Sequence, residues 1–266
     1  MYTQPFTIIH EDANIIAVNK VSGIAVGGDH WDEDAPRLDK LLAAFRVDHS
    51  GASSGRLYTV HRIDKGTSGL VVFAKNAETH RDLSLAFEKR RVEKHYTAIV
   101  YGRPHWPDGS TTCALPLLPD NAKHLTVIDK YRGKASLTVF RLVLSAGNYS
   151  VVEARPETGR THQIRVHLAA LGYPVVCDPR YGKHNRSGGR AAGGKTEGVY
   201  LSSFKRDWRG NAAEERPLLS RLGLHASRLV LPAAENQTLE LTAPLPKDMG
   251  ALIKQMEKCS KAALPD

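Results

Sequence analysis

Cysteine is scarce in this chain of 266 residues: Cys113, Cys177 and Cys259 are odd in number, far apart and outside any Cys-x-x-Cys spacing. A disulfide framework and a thiolate zinc site are therefore both set aside as organising principles. No apolar run approaches the roughly 20 residues needed to span a bilayer. The stretch from Met1 to His10 has no basic segment followed by an apolar core, so nothing marks a secretory leader. Gly-rich phosphate loops are absent, and no internal repeat is found. His162 and His167 lie five apart without the intervening Glu of a metalloprotease helix. These absences exclude membrane spans, disulfide-stapled secreted modules, P-loop nucleotidases and zinc hydrolases. They point to a cytoplasmic protein that needs no metal.

What is abundant is positive charge. Lys and Arg total 37 against 28 Asp and Glu, a formal net charge of +9. Such an excess favours polyanionic partners, because phosphates attract Lys and Arg and release counterions on binding. Charge alone equally describes a soluble basic protein. With 41% hydrophobic and 24% charged residues the chain has the composition of a globular protein with a proper core. One large domain and two subdomains sharing a sheet both fit its length.

Punctuation and periodicity outline the elements. Phe6–His10 and Asn14–Asn19 are apolar runs separated by Glu11-Asp12, a hairpin pattern. Leu38, Leu41, Leu42 and Phe45 have helical spacing. Ser50 to Gly55 reads as a flexible loop. Gly69–Ala74 reads as a strand buried on both faces. Asn76 is placed to cap a helix over Ala77–Lys89, with Leu83, Leu85, Ala86 and Phe87 as its apolar stripe. Tyr96, Ala98 and Val100 share one face of a strand. Two more strands are expected over Ser136–Leu144 and Tyr149–Arg155. A helix is expected over Thr161–Leu171, with Ile164, Leu168 and Leu171 buried, Gly172 at its C′ position and Pro174 as the stop. Residues 183–217 read as a long Gly/Arg-rich surface loop. Leu239–Leu241 offers a last strand and Leu252–Lys261 a terminal helix. Strands and helices do not alternate strictly, so an α+β fold is expected, with a mixed, mostly antiparallel sheet.

Two segments concentrate reactive groups. In His61-Arg62-Ile63-Asp64-Lys65-Gly66-Thr67-Ser68-Gly69, Asp64 lies between two cations on a loop entering a buried strand. Nearby cations favour an ionised carboxylate, usable as nucleophile or base. A solvated loop whose charges merely pair is the competing reading. The kinase catalytic loop is set aside, because Ile63 separates His-Arg from Asp. In Arg155-Pro156-Glu157-Thr158-Gly159-Arg160-Thr161-His162-Gln163-Ile164-Arg165-Val166-His167, cationic groups gather at a helix start, whose dipole already favours anions. His162 and Arg165, three apart, face one side of that helix. A plain phosphate-binding surface is the alternative there.

Taken in order, His-Arg-Ile-Asp-x-x-Thr-Ser-Gly at 61–69, Lys-x-Tyr-x-Ala-x-Val-x-Gly at 94–102, Gly-Arg-Thr-His-Gln-Ile-Arg-Val-His-Leu at 159–168, Asp-Pro-Arg-Tyr-Gly at 178–182 and Leu-His-Ala at 224–226 resemble the RluA-type RNA pseudouridine synthases. Lys20-Val21-Ser22-Gly23 departs from that family's usual Lys-Pro-x-Gly. The match begins near Phe6, which leaves no room for the extra RNA-binding domain that many members carry ahead of the catalytic one.

The resemblance implies an α+β fold in which two subdomains flank a catalytic cleft around a central sheet with flanking helices, the whole chain being one catalytic domain. It implies that Asp64 attacks the target nucleoside, that Tyr96 packs on the flipped base, and that Arg165 pairs with the aspartate. Arg62 would enter the RNA stack where the target leaves; with Tyr96, Ile164 and Arg165 it makes up the implied substrate-binding set. A buried base must be extruded before chemistry, and an inserted arginine and an aromatic face offset part of that cost. The reaction is an isomerisation, so no cofactor is expected. The implied partner is RNA, a tRNA or a large-subunit rRNA stem-loop, and the implied assembly state is a monomer. A non-catalytic RNA-binding or RNA-folding protein on the same scaffold is the alternative, and an RNA hydrolase finds no metal-ligand cluster to support it.

Overall fold

A computed structural model of the chain describes residues 4–28, 36–50, 55–182, 198–205, 209–211, 214–233 and 237–261. In order, the first elements are β1 (Phe6–Glu11), β2 (Ile15–Lys20), α1 (Leu38–Ser50), β3 (Tyr58–Thr59), β4 (Ser68–Ala74), α2 (Ala77–Glu88), β5 (Glu93–Tyr101) and β6 (Ser110–Cys113). There follow β7 (Leu117–Asp120), β8 (Leu125–Ile128), β9 (Thr138–Ala146), β10 (Tyr149–Pro156), α3 (Gln163–Ala170), β11 (Leu224–Pro232), β12 (Thr238–Thr242) and α4 (Lys247–Lys261). Two compact units share them, one of Met1–His95 with His225–Pro244, the other of Tyr96–Leu224 with Leu245–Asp266. Both are α+β, and every strand pair named below is antiparallel save one.

The first unit is organised on β4, all seven of whose residues are buried. β1 and β2 form the expected hairpin, its turn tied by Asp12 Oδ1, which accepts from the N–H groups of Asn14 and Ile15 at 2.7 Å each. β2 and β3 pair with β4. Asn76 caps α2 by accepting from Thr79 N–H at 2.8 Å. Leu83 and Ala86 of that helix join Ile15, Ala17, Leu70 and Val72 in one apolar core. Leu85 does not belong to the stripe: two positions from Leu83 it has turned through about 200°, and it is 43% exposed. α1 buries Leu38 and Leu42 and sets Phe45 edge-on to Phe6. It runs through Ser50, where a loop had been expected to begin, and residues 51–54 lie outside the described ones.

The parallel pair joins β4 to β11, with His225 opposite Ser68 and Ala226 opposite Gly69. Gly69 has φ +115°, and a Cβ there would lie 2.2 Å from the Ala226 carbonyl oxygen. Only glycine permits that approach. Ser68 Oγ meets His225 Nδ1 at 3.0 Å, while the other ring nitrogen lies 3.3 Å from Ala243 O. The Thr-Ser-Gly and Leu-His-Ala segments, so far apart in the chain, are thus one structural joint.

In the second unit the strand order is β5-β10-β9-β6. One side of the sheet packs Ile99, Tyr149 and Val151 against Met249, Leu252 and Met256 of α4. These three recur at helical spacing, and the helix starts at Lys247, earlier than its apolar run suggested. The other side packs Ala98, Val100, Phe140, Val152 and Ala154 against Ile164 and Leu168 of α3, with Tyr96 and Leu171 at the margin. α3 ends as expected: Gly172, at φ +91°, and Tyr173 donate to Ala169 O and Leu168 O. β9 begins at Thr138 rather than Ser136: just before it, Leu137 N–H donates to the Thr158 hydroxyl at 3.0 Å instead of to a strand carbonyl. Of the long Gly/Arg-rich stretch, residues 183–197 lie outside the described residues; further along, Val199 is fully buried and bridged to Leu219.

Candidate active site

In the first unit, Asp64 opens a tight turn closed by Thr67 N–H donating to Asp64 O at 3.0 Å. The turn is clamped from three directions. Lys20, 1% exposed, donates its ammonium to the carbonyls of Val21, Ile24 and Lys65 at 2.9, 2.8 and 3.2 Å. All three of its protons are thereby placed. Gly23 N–H donates to Lys65 O at 2.7 Å, and Ser22 Oγ donates to Gly66 O at 2.6 Å. Ile63 is buried, so the loop is pinned by an apolar side chain as well as by its backbone. The departure at Val21 from the family's usual proline leaves this turn formed, with Gly23 at φ +96°. Asp64 itself is half-buried, and Arg62 is exposed.

His61 anchors the start of the loop. Its ring stacks on Phe87 at 4.6 Å, and Nε2 accepts from Val72 N–H at 2.9 Å. The residue keeps some exposed surface, but the accepting nitrogen is enclosed by the strand. Burial, reinforced by the Lys94 charge, pushes its pKa down to about 3. His61 is therefore a neutral structural histidine, which excludes it as a general acid at neutral pH.

In the second unit, Tyr96 sits on β5 opposite Ala154 of β10, half-buried at the edge of the apolar cluster that takes in Ile164. Ile164 itself is only 6% exposed. Arg165 projects from the first turn of α3 and is 4% exposed. Its Nε and Nη2 donate to Asp178 Oδ2 and Oδ1, both at 2.8 Å, a bidentate ion pair. Asp178 Oδ1 also accepts from the N–H groups of Arg180 and Tyr181 at 2.9 and 3.1 Å. Burial pushes the Asp178 carboxyl up, but the Arg165 hydrogen bonds and charge, with these two amides, outweigh it and hold it below the usual range.

Tyr181 completes the group. The Arg165 guanidinium lies over its ring at 5.0 Å. Its hydroxyl accepts from Thr126 N–H at 2.7 Å and lies 2.9 Å from His162 Nδ1, within hydrogen-bonding distance. Burial pushes the phenol pKa up, so the hydroxyl keeps its proton. His162 and Arg165 do face one side, as their spacing implied, and Tyr181 is where they meet.

Behind this face a buried polar network fixes α3. Gln163 Nε2 donates to Leu137 O and Thr138 Oγ1, at 3.0 and 2.9 Å. Its Oε1 accepts from Thr158 Oγ1 and Arg160 N–H, at 2.7 and 3.0 Å. One turn on, His167 is fully buried, with Nδ1 3.0 Å from Thr138 Oγ1 and Nε2 3.0 Å from Leu115 O. Burial holds its pKa below the ordinary value. Gln163 and His167 thus bolt the helix to β9, Ile164 and Leu168 fill the core, and Arg165 is left to face Asp178. Asp178, Tyr181, Gln163, His167 and Lys20 had no assigned role in the sequence reading. Asp178 and Tyr181 stood in a quoted motif, but nothing in spacing pairs position 165 with 178.

Two predictions follow from these geometries. The His61 pKa lies below that of the unfolded chain, about 6.5, so the unfolded state binds the extra proton. Its stabilisation is then complete above about pH 6.5 and erodes as pH falls toward 3. His61→Gln keeps an acceptor for Val72 N–H without the titration, and should flatten that part of the stability–pH curve in urea melts; an unchanged slope would refute the assignment. Asp178→Asn leaves Arg165 a buried uncompensated charge and should cost about 3–5 kcal/mol, read from the same melts at pH 7. A loss under about 1 kcal/mol would mean that the pair behaves as a surface one.

A family model described as RNA pseudouridylate synthase matches residues 14–170. The ribosomal large subunit pseudouridine synthase D of Borreliella burgdorferi is 39% identical over 182 residues, 67% of this chain and 55% of that protein. The synthase D of Zymomonas mobilis is 31% identical over 255 residues, covering 95% of this chain and 73% of its own length. The synthase C of Vibrio cholerae is 32% identical over 257 residues, 94% of this chain and 69% of the relative. Human RNA pseudouridylate synthase domain containing 4 shares the fold at a TM-score of 0.71 and 24% identity, over 94% of this chain and 92% of that one. Human RNA pseudouridylate synthase domain containing 1 superposes at 0.63 with 26% identity, over 99% and 97%. With a family model matching over half of its length and relatives at 31–32% identity matched over most of it, the chain belongs to the RNA pseudouridylate synthases, isomerases that convert uridine in RNA to pseudouridine.

Proposed function

We propose that this enzyme modifies a uridine of large-subunit ribosomal RNA, with Asp64 as the attacking carboxylate. The observation that carries the reading is the Asp64 turn, whose backbone is held by Lys20, Ser22 and Gly23 while the carboxylate-bearing residue keeps solvent access. A nucleophile gains from such a mounting, because effective molarity depends on orientation. Asp64 attacks at ribose C1′ or uracil C6, the N1–C1′ bond breaks, and the uracil turns. C5 then bonds to C1′, the bond to the Asp64 oxygen breaks and frees the carboxylate, C5 gives up its proton and N1 gains one. Atoms and electrons balance without an oxidant or a second substrate.

The remaining roles follow from chemistry and placement. Tyr96 offers an aromatic face to the extruded uracil, and Ile164 belongs to the apolar cluster against which Tyr96 packs. Arg165, held rigid by Asp178, brings fixed positive charge to the reaction. Arg62, exposed on the loop before Asp64, takes the place of the departing base in the RNA stack. Ribosomal RNA is favoured over tRNA because relatives matched over most of the chain are named as ribosomal large subunit enzymes. The same reading has the protein act as a monomer in the cytoplasm, where three cysteines that form no disulfide are at home.

The test is pseudouridine mapping of rRNA and tRNA from cells lacking the gene, with rescue by wild type or by Asp64→Asn. One large-subunit rRNA uridine should lose its modification and regain it only with wild type. Loss confined to tRNA would overturn the choice of substrate. Rescue by Asp64→Asn would overturn the role of the carboxylate, and unchanged maps would favour the RNA-binding alternative.

A further inference from the structure

Among the described residues, Tyr131 is the most exposed of the large hydrophobic side chains, at 98%. It lies beyond the β7–β8 hairpin in Asp129-Lys130-Tyr131-Arg132-Gly133-Lys134, a segment with three cations. A lone exposed aromatic on a loose loop would need no explanation. This loop is firmly built. Asp129 Oδ1 accepts from the N–H groups of Tyr131 and Arg132 at 2.9 and 2.8 Å, and Oδ2 accepts from Arg132 Nε at 3.0 Å. Gly133 N–H donates to Asp129 O at 2.9 Å, and Lys134 pairs with Leu117. Those amides, Arg132 N–H foremost, hold the Asp129 carboxyl below its usual range, so the turn persists well below neutral pH. The backbone is ordered, yet the ring covers nothing in its own chain.

At the foot of the same segment is a cavity of about 190 Å³ lined by Thr126, Lys134, Gly159, Arg160 and Thr161, among others. Arg160 is steered there by its Nε donating to Ala135 O at 3.2 Å. Thr126 is 1% exposed, and its Oγ1 has no hydrogen-bond partner among the described residues. Two cations and an orphaned hydroxyl beside a helix start suit a phosphate. Lys134 is three residues from Tyr131, within about 11 Å along the chain. One nucleotide is of that size.

We propose that the Tyr131 turn is a second nucleotide-binding station, distinct from the uridine site. The ring stacks an unpaired base of the RNA, and the Lys134–Arg160–Thr126 cavity holds a phosphate of the same strand. The inference rests on the RNA reading above and extends it to how the enzyme selects its substrate. Exposed aromatics beside cations are what single-stranded RNA recognises, because every base has a π-face and every linkage a charge. The hairpin is also tied to the reactive group, since Thr126 N–H donates to Tyr181 and the Arg180 guanidinium to His124 O. A loop gripped at Tyr131 is thereby registered against Arg165.

The experiment measures binding of protein-free large-subunit rRNA, from cells lacking the gene, to the full chain carrying Tyr131→Ala, Tyr131→Trp or Lys134→Ala. Tyr131→Ala should weaken binding about tenfold, with Tyr131→Trp near wild type. Lys134→Ala should weaken it and lower the slope of log K against log salt by about one. Wild-type affinity in Tyr131→Ala, or equal losses in the Ala and Trp variants, would overturn the stacking role. A change in sedimentation on removing the ring would assign it to self-association instead. Failure of the underlying reading is separately visible, because wild type itself would then form no pseudouridine in this RNA.

Discussion

The buried ammonium of Lys20 is the interaction on which the Asp64 turn depends. Burying a lone charge is costly unless every proton finds an acceptor. Here the acceptors are carbonyls of the turn after β2 and of the turn that bears Asp64. The cost of desolvation becomes a device for holding two otherwise independent loops together. A neutral side chain of the same length would leave those carbonyls unpaired. Ser22 and Gly23 repeat the same link with a hydroxyl and an amide.

The second unit solves the same problem with an ion pair. A buried salt bridge adds little net stability, because desolvation cancels much of the attraction. The Arg165–Asp178 pair is better understood as a way of keeping a cation fixed and dry. Asp178 meets that need by collecting two backbone amides in addition to the guanidinium, which leaves its lone pairs satisfied. The sequence pattern at 163–168 then makes physical sense position by position. Gln163 and His167 bond to β9, Ile164 and Leu168 fill the core, and Arg165 meets Asp178.

Much of this was legible in the chain. The β1–β2 hairpin, the buried β4, the capped α2 and the glycine-terminated α3 all follow from local signals of turn, period and cap. Asp64, Tyr96 and Arg165 were named from the family motifs they occupy. What escaped notice was whatever depends on partners distant in sequence. β11 has no clean alternation, and its position follows from Gly69 admitting Ala226, which no local pattern reveals. β6 and the β7–β8 hairpin are four residues per strand, too short for a periodicity to register. Leu85 was misplaced because its apolar character outweighed its angle on the helix. Lys20 stood out only as the first residue of a segment that departs from the family's pattern. Its role appears only once the Asp64 turn lies above it.

The most direct test of this account replaces Lys20 with methionine and follows amide exchange at residues 64–67 beside single-turnover pseudouridine formation. The account predicts faster exchange in that turn and at least a tenfold slower reaction, while the amides of α2 and α3 keep their protection. Wild-type rate and wild-type protection in the variant would contradict it, and would show that the turn holds its carboxylate without the buried ammonium.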